Sequence, residues 1–367
     1  MDRQKRIVRT SIVGIATNVA LVVFKAIVGL LANSIAVVLD AVNNLSDVLS
    51  ALITIVGMKL ASRPADKEHP FGHGRIEYFT ALAIAIMVLM AGMGSLYQSV
   101  LKIINPQPTL FTTLSLVILA VATVVKMVLS RYVRRTGQAV NSDALIATAE
   151  DARFDALVSF STLVAAAVMM HTGILIDGWL GAAISLIIIK SGIELSTRPL
   201  NMLLGKRNDW QLTHDIRTDI ENTDGVIAAC DLALHNYGPE FVLGQVHIEI
   251  DDRLTAADIH RMTQDIQQRI RQKYGVLLTV GIYAVNTHDA EMVSIRQTIR
   301  SITARQPGIL QTHGLYVDRE HQQVSFDIIV DFAVKNANSV RDEVLRQVEQ
   351  ALPGYHVSIN IDRDVSD

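Results

Sequence analysis

Two short polar clusters, Asp40-Ala-Val-Asn43-Asn44-Leu-Ser-Asp47 and Glu150-Asp151-Ala-Arg153-Phe-Asp155, interrupt long apolar runs and decide how the chain reads. Carboxylates at membrane depth are costly, and they persist mainly where they line an ion path or a buried polar site. Asp40, Asn43, Asn44 and Asp47 fall at i, i+3, i+4 and i+7, so they share one stripe of a helix. Asp151 and Asp155 form a second i, i+4 pair. Two such faces turned toward each other make a four-oxygen cage for a hard divalent cation. Spacing alone leaves two choices open in the first cluster, Asp40 with Asn44 or Asn43 with Asp47.

The surrounding chain is half hydrophobic over its 367 residues, but unevenly so. Nearly all the long apolar runs lie before residue 200, and the rest resembles an ordinary soluble sequence. A bilayer core requires about 20 apolar residues per helix. Six spans follow, near 11–31, 35–60, 76–104, 110–132, 143–170 and 175–197. Asn33-Ser34, the loop from Pro64 to Gly74, Asn105-Pro106, Gly137 and Thr172-Gly173 punctuate them. Arg3, Lys5, Arg6 and Arg9, then Arg63, Lys67 and Arg75, then Arg131, Arg134 and Arg135, then Arg198, Lys206 and Arg207 all collect on one side. The positive-inside rule makes that side cytoplasmic, with both termini and the whole second half. No cleavable signal segment is evident, and the basic N-terminus points to the cell membrane.

A net charge of −3 gives no basic signal for nucleic acid. The lone Cys230 excludes an intrachain disulfide and fits a reducing compartment. No glycine-rich phosphate loop and no nucleophile accompany the buried acids, which argues against an enzyme. Among other polar residues of the spans, Asn18 reads equally as a helix–helix hydrogen bond. Lys25, Lys126 and Lys190 read as snorkelling or paired side chains, Lys190 with Glu194 at i, i+4. Arg153 lies about 200° around the helix from Asp151, faces away from the cage, and has no legible partner.

The loop Arg63-Pro-Ala-Asp66-Lys-Glu-His69-Pro-Phe-Gly-His73-Gly-Arg75 resembles the signature after the second span of cation diffusion facilitators. With six spans, polar pairs in spans two and five, and an α/β second half, the resemblance covers nearly the whole chain. Counting back from Pro64 to the family's paired positions selects Asn43 and Asp47, leaving Asp40 and Asn44 as neighbours or entry-path groups. The resemblance implies one transported ion held by Asn43, Asp47, Asp151 and Asp155, a homodimer, and efflux from the cytoplasm by proton antiport. Metal and protons compete for the same carboxylates, which is the physical basis of such exchange. Zinc carriers of the family usually place a histidine in this quartet. The set here is one amide oxygen and three carboxylates, which suits Mn²⁺, with Fe²⁺ and Zn²⁺ as alternatives. Asp66, His69 and His73 resemble a second metal site that some members carry in the loop. A membrane metal sensor or scaffold that binds without transporting is the rival class.

After a linker at 198–212 the pattern is α, β, β, α, β, and it then repeats. Gln245-Val-His-Ile-Glu-Ile-Asp251 matches Val324-Ser-Phe-Asp-Ile-Ile-Val-Asp331, and Ile266-Gln-Gln-Arg-Ile-Arg matches Val344-Leu-Arg-Gln-Val-Glu. The expected fold is a six-helix transmembrane bundle over 1–200 followed by two ferredoxin-like αββαβ domains in tandem, 208–287 and 288–367. In the first copy Cys230, His247, Tyr283 and His260 stand where zinc-sensing members carry ligands, and only part of that set survives. Weak or no metal binding is expected there. His235, His313 and His321 are expected at the surface.

Overall fold

The computed structural model describes residues 3–31, 35–106, 113–172, 174–207 and 209–363, with the side chains of 28–31, 35–46, 115 and 363 outside that set. Two compact units emerge, Met1–Lys206 with Tyr237–Pro239, and Arg207–Asn236 with Glu240–Asp367.

The first unit holds α1 (Arg3–Leu31), α2 (Ile35–Ala61), α3 (Ile76–Ile104), α4 (Thr113–Ala139), α5 (Asp143–Thr172) and α6 (Asp177–Leu203). Among the described residues, five of these helices are long and apolar enough to cross a membrane. The exception is α2, where the side chains up to residue 46 are not described. Three ends differ from the expected spans, each for a local reason. Helix α1 reaches back at least to Arg3, whose guanidinium has partners there: it forks onto Glu77 at 2.7 and 2.9 Å and donates to the Val140 carbonyl at 2.8 Å. Helix α4 passes through Gly137, where a Cβ would meet Leu145 at 3.1 Å, so the glycine admits α5 rather than ending α4. The turn falls instead at Asn141, whose φ of 48° is the left-handed conformation asparagine tolerates. Helix α6 continues through a buried Pro199 to Leu203, which shortens the expected linker.

The helices pack by two different rules. Between α3 and α6, a Cβ on Gly92 would meet Ile188 at 3.0 Å and one on Gly192 would meet the Leu89 backbone at 3.1 Å. Ser185 donates to Ser95 across the same seam at 2.9 Å. Small residues and interhelical hydrogen bonds are how helices associate where lipid removes the hydrophobic drive. Helices α1, α2, α4 and α5 form the other group, closed at one end by Ile7, Met58, Leu129, Val133, Leu145 and Ala149. The polar clusters lie in this group.

The second unit runs α7 (Trp210–Glu221), β1 (Val226–Asn236), β2 (Val242–Asp251), α8 (Ala256–Tyr274), β3 (Val276–Val285), α9 (Ala290–Thr303), β4 (Ile309–Asp318), β5 (Gln323–Val330), α10 (Ala337–Ala351) and β6 (His356–Arg363). Side-chain oxygens of Asp209, Thr255, Asp289 and Asn336 cap the four helices. There are two three-stranded sheets, β1-β2-β3 and β4-β5-β6. In each, the first pair is antiparallel and the second parallel. Ile216, Ile248, Ile266 and Ile270 centre the first core, and Ile299, Phe326, Val344 and Val348 the second. Both first strands bulge at the same place, between Cys230 and Ala233 and between His313 and Tyr316. The bulges carry left-handed residues, Asp231 at φ 55° and Gly314 at φ 65°.

Candidate metal centre

Helical periodicity and the packing of α2, α4 and α5 bring the acids to one buried point. Asp47 of α2 is 5% exposed. Its Oδ2 lies 2.8 Å from Lys126 Nζ of α4, and Asp155 Oδ2 of α5 lies 2.5 Å from the same ammonium. Asp151, one turn from Asp155, accepts from Ser50 Oγ of α2 at 3.1 Å. One turn further along both helices, Thr54 and Thr148 hydroxyls meet at 3.2 Å. Polar contacts between α2 and α5 therefore form a ladder, with the carboxylates on its inner rungs. Asn43 stands one turn before Asp47 on α2, but its side chain and those of Asp40 and Asn44 lie outside the described residues.

A narrow cavity reaches these acids between the helices, lined by Ser11, Asn18, Asp47, Thr148 and Asp151 among others. Its free space of about 10 Å³ is that of a single water. Among the described residues, Ser11 Oγ and Asn18 Oδ1 are buried without a hydrogen-bond partner.

Lys126 is paired, as the sequence suggested, but its partners are the proposed ligands themselves. No spacing rule reveals which face of α4 meets α2 and α5. Arg153 finds the partner its sequence did not name: Glu150 accepts from it at 3.0 Å and from Arg134 at 2.8 Å. That keeps Glu150 away from the cage.

In the loop, Asp66, His69 and His73 come together, with their ligating atoms within 4.8 Å of one another. Asp66 Oδ1 accepts from the His69 amide at 2.7 Å, and the two imidazoles lie 4.4 Å apart. The His69 amide, foremost, holds the Asp66 carboxyl below the usual carboxylate range. His73 Nδ1 is buried without a hydrogen-bond partner among the described residues.

The second unit corrects one expectation. His313 is not at the surface: it is 1% exposed, at the bulge of β4. Its Nε2 lies 2.8 Å from Asp231 Oδ1 and 3.6 Å from Asp362 Oδ2, so it joins the bulges of the two sheets. The other oxygen of Asp231 meets His247 Nδ1 at 3.0 Å and accepts from Tyr283 at 3.2 Å. Burial opposes charge on His313, but the Asp231 hydrogen bond and the surrounding carboxylates outweigh it and raise its pKa. Cys230 is buried against Gln311, and burial pushes its thiol up to about 12. His235, His260 and His321 are exposed. A third group, Asp251, Asp252 and His288, is mostly exposed.

Residues 11–204 match the cation efflux transmembrane domain, and residues 209–282 match the cytoplasmic domain of cation efflux proteins. The chain belongs to the cation efflux family. As a member it is a multi-pass membrane transporter of metal cations. Its relatives include the uncharacterized transporter MJ0449 of Methanocaldococcus jannaschii, 28% identical over 71% of this chain and 91% of the relative. The magnetosome protein MamB of Magnetospirillum gryphiswaldense is 26% identical over 70% and 86%. The manganese efflux system protein MneS of Bacillus subtilis is 24% identical over 75% and 94%. The first matched segment contains Asp47, Lys126, Asp151 and Asp155; the second ends within β3, before the second sheet begins.

Proposed function

We propose that this cation efflux protein exports Mn²⁺ from the cytoplasm in exchange for protons, working as a homodimer with six spans and both termini cytoplasmic. Asn43, Asp47, Asp151 and Asp155 are the ligands in this reading, with Asp40 and Asn44 on the entry path. The observation that carries it is the meeting of Asp47 and Asp155, from two different helices, on one buried cation at 2.8 and 2.5 Å. A point that holds an ammonium with carboxylates from α2 and α5 holds a metal ion with the same oxygens. The oxygen-only quartet favours Mn²⁺ over Zn²⁺, which prefers nitrogen and sulfur. Mg²⁺ is disfavoured because it gives up its waters reluctantly. Carboxylates must be deprotonated to hold metal, so reprotonation from outside releases it.

Residues 208–287 and 288–367 act as tandem copies of one αββαβ domain, each a ferredoxin-like unit lacking its first strand. The equivalent bulges at Asp231 and Gly314 support the duplication. Their role is scaffolding and dimerisation. Asp66, His69 and His73 form a second, loop-borne metal site in the same proposal.

The test is metal uptake into proteoliposomes under a proton gradient, with Mn²⁺, Fe²⁺, Zn²⁺ and Mg²⁺ in parallel and Asn43→His beside the wild type. Mn²⁺ flux without Zn²⁺ flux, and Zn²⁺ flux gained by Asn43→His, is the expected pattern. Equal wild-type flux of Zn²⁺ and Mn²⁺ overturns the selectivity argument. Binding without flux of any ion leaves the sensor reading standing.

A further inference from the structure

Lys126 occupies the point that the proposed transport function assigns to the cargo, and its own role rests on that function. We infer that Lys126 is a tethered substitute cation: its ammonium fills the carboxylate site when metal is absent and must leave before metal enters. The geometry is specific. Nζ contacts Asp47 Oδ2 at 2.8 Å and Asp155 Oδ2 at 2.5 Å, and the lysine side chain is 4% exposed. One ammonium thus bridges the same two helices that the metal would bridge, through the same two oxygens.

A divalent ion of this kind sits about 2.0–2.6 Å from its oxygen ligands. An ammonium within hydrogen-bond reach of those oxygens excludes it, both by volume and by like charge. The two cations are therefore alternatives. Lysine is suited to the exchange, because it is a compact charge on a flexible four-carbon stem, whereas arginine holds carboxylates in a rigid fork. A purely structural ion pair between α4 and its neighbours would use one acid. This lysine uses two, one from each half of the proposed cage.

The exchange has two effects. Lys126 weakens metal binding, since metal must displace it. It also speeds release and return, because the emptied carboxylates are never left facing each other without a cation. Mutual exclusion at one site is a linkage, so removing one competitor strengthens the other.

The experiment uses the full chain in lipid nanodiscs and proteoliposomes, comparing wild type with Lys126→Met, Lys126→Arg, Asp47→Ala and Asp155→Ala. Lys126→Met is expected to lower the Mn²⁺ Kd about tenfold or more, and to lower KM and kcat for Mn²⁺ uptake together. It should also melt earlier without metal and recover with saturating Mn²⁺. Lys126→Arg should depart from wild type least in affinity. An unchanged or weaker Kd in a cooperatively melting Lys126→Met overturns the inference. If Asp47→Ala and Asp155→Ala bind Mn²⁺ as wild type does, the ligand reading itself fails, which is a distinct result. Should Lys126→Met not fold, the wild type suffices. Acylation of Lys126 by a membrane-permeant reagent, read by peptide mass, should rise several-fold when Mn²⁺ is added, and no rise overturns the inference.

Discussion

Two places in this molecule set one cation against two carboxylates drawn from separate elements. In the membrane unit, Lys126 of α4 lies between Asp47 of α2 and Asp155 of α5. In the second unit, His313 of β4 lies between Asp231 of β1 and Asp362 of β6. Both cations are almost wholly buried, with side chains 4% and 0% exposed. The difference is in how the charge can be removed. An ammonium between acids is relieved by another cation taking its place, whereas an imidazolium is relieved by losing a proton near neutral pH. The first arrangement suits a site that exchanges ions; the second suits a joint between two sheets whose strength follows pH. The same residue pattern therefore carries different work, according to the cation at its centre.

The largest effect comes from breaking the membrane cluster. Asp47→Ala or Asp155→Ala should reduce metal flux in proteoliposomes by about 100-fold or more, since each removes a proposed ligand and leaves Lys126 charged in the membrane. Breaking a buried ion pair costs about 3–5 kcal/mol, so the midpoint of thermal unfolding should also fall. Asp231→Ala, at the other cluster, should leave flux within about twofold. Equal loss of flux in Asp231→Ala would dissolve the distinction between an exchange site and a joint.

Removing His313 is next in size. His313→Ala leaves Asp231 half-buried beside Asp362 without its principal cation, and opens space at the bulge of β4. A loss of about 1–3 kcal/mol is expected for the second unit, the usual cost of stranding a buried polar partner. Denaturant unfolding of the full chain, followed by hydrogen exchange in β1 and β4, measures it. Protection unchanged in both strands would mean that the sheets are held by their apolar contacts alone. The nearby pairing of Glu249 with Arg296 and Arg300 is a further polar tie between the copies in this region.

The joint should also follow pH, with a sign that the shifts determine. The folded-state pKa of His313 is raised, so its contribution is complete below the unfolded value of roughly 6.5 and is lost as pH rises through the folded value. Burial raises the Asp231 pKa, but the hydrogen bond with His313, its charge, Tyr283 and His247 bring it below the ordinary value. That contribution is present above roughly 3.9 and is lost as pH falls through the folded value. Asp362 acts in the same sense as His313 and against Asp231, because burial and the charges of Asp327 and Asp231 raise its pKa, so its contribution too falls as pH rises. The stability difference between wild type and His313→Gln should therefore be greatest at roughly pH 5–6 and shrink toward pH 9. A difference that grows with pH would show that His313 is neutral in the folded protein.

How legible these features were depended on how far apart their residues lie. Asp151 and Asp155 share a helix face, so their pairing is written in an i, i+4 spacing. Spacing left Asn43 with Asp47 level with Asp40 with Asn44, and only the family resemblance chose between them; the side chains of Asp40, Asn43 and Asn44 are not described. Lys126 belongs to a third helix, and nothing in its neighbours Val125 and Met127 says which way α4 turns. His313 was misplaced for a related reason. It follows Thr312 in a strand of mixed polarity, and only the packing of one sheet's bulge on the other's makes the site interior. The αββαβ order was readable because strand alternation and N-caps are local. The ends of α1, α4 and α6 were not: Arg3 read as a basic flank, Gly137 as a break between spans, and the residues from 198 on as a linker.

The smallest effect separates buried charge from charge as such. Lys190 of α6 sits in the same membrane unit as Lys126 and pairs with Glu194 one turn away, at 3.7 Å. Its side chain is 78% exposed, and its partner among the described residues is on its own helix. Exposed i, i+4 pairs contribute little, and a long stem allows the ammonium to reach the interface. Lys190→Gln should therefore leave Mn²⁺ flux within about twofold and the melting temperature nearly unchanged, where Lys126→Met alters both. A Lys190→Gln protein that loses flux as Lys126→Met does would mean that the transporter responds to total charge in its spans. Contact with the carboxylates would then not be what distinguishes Lys126. If instead the two variants separate as expected, the position of Lys126 between α2 and α5 is what gives it a function.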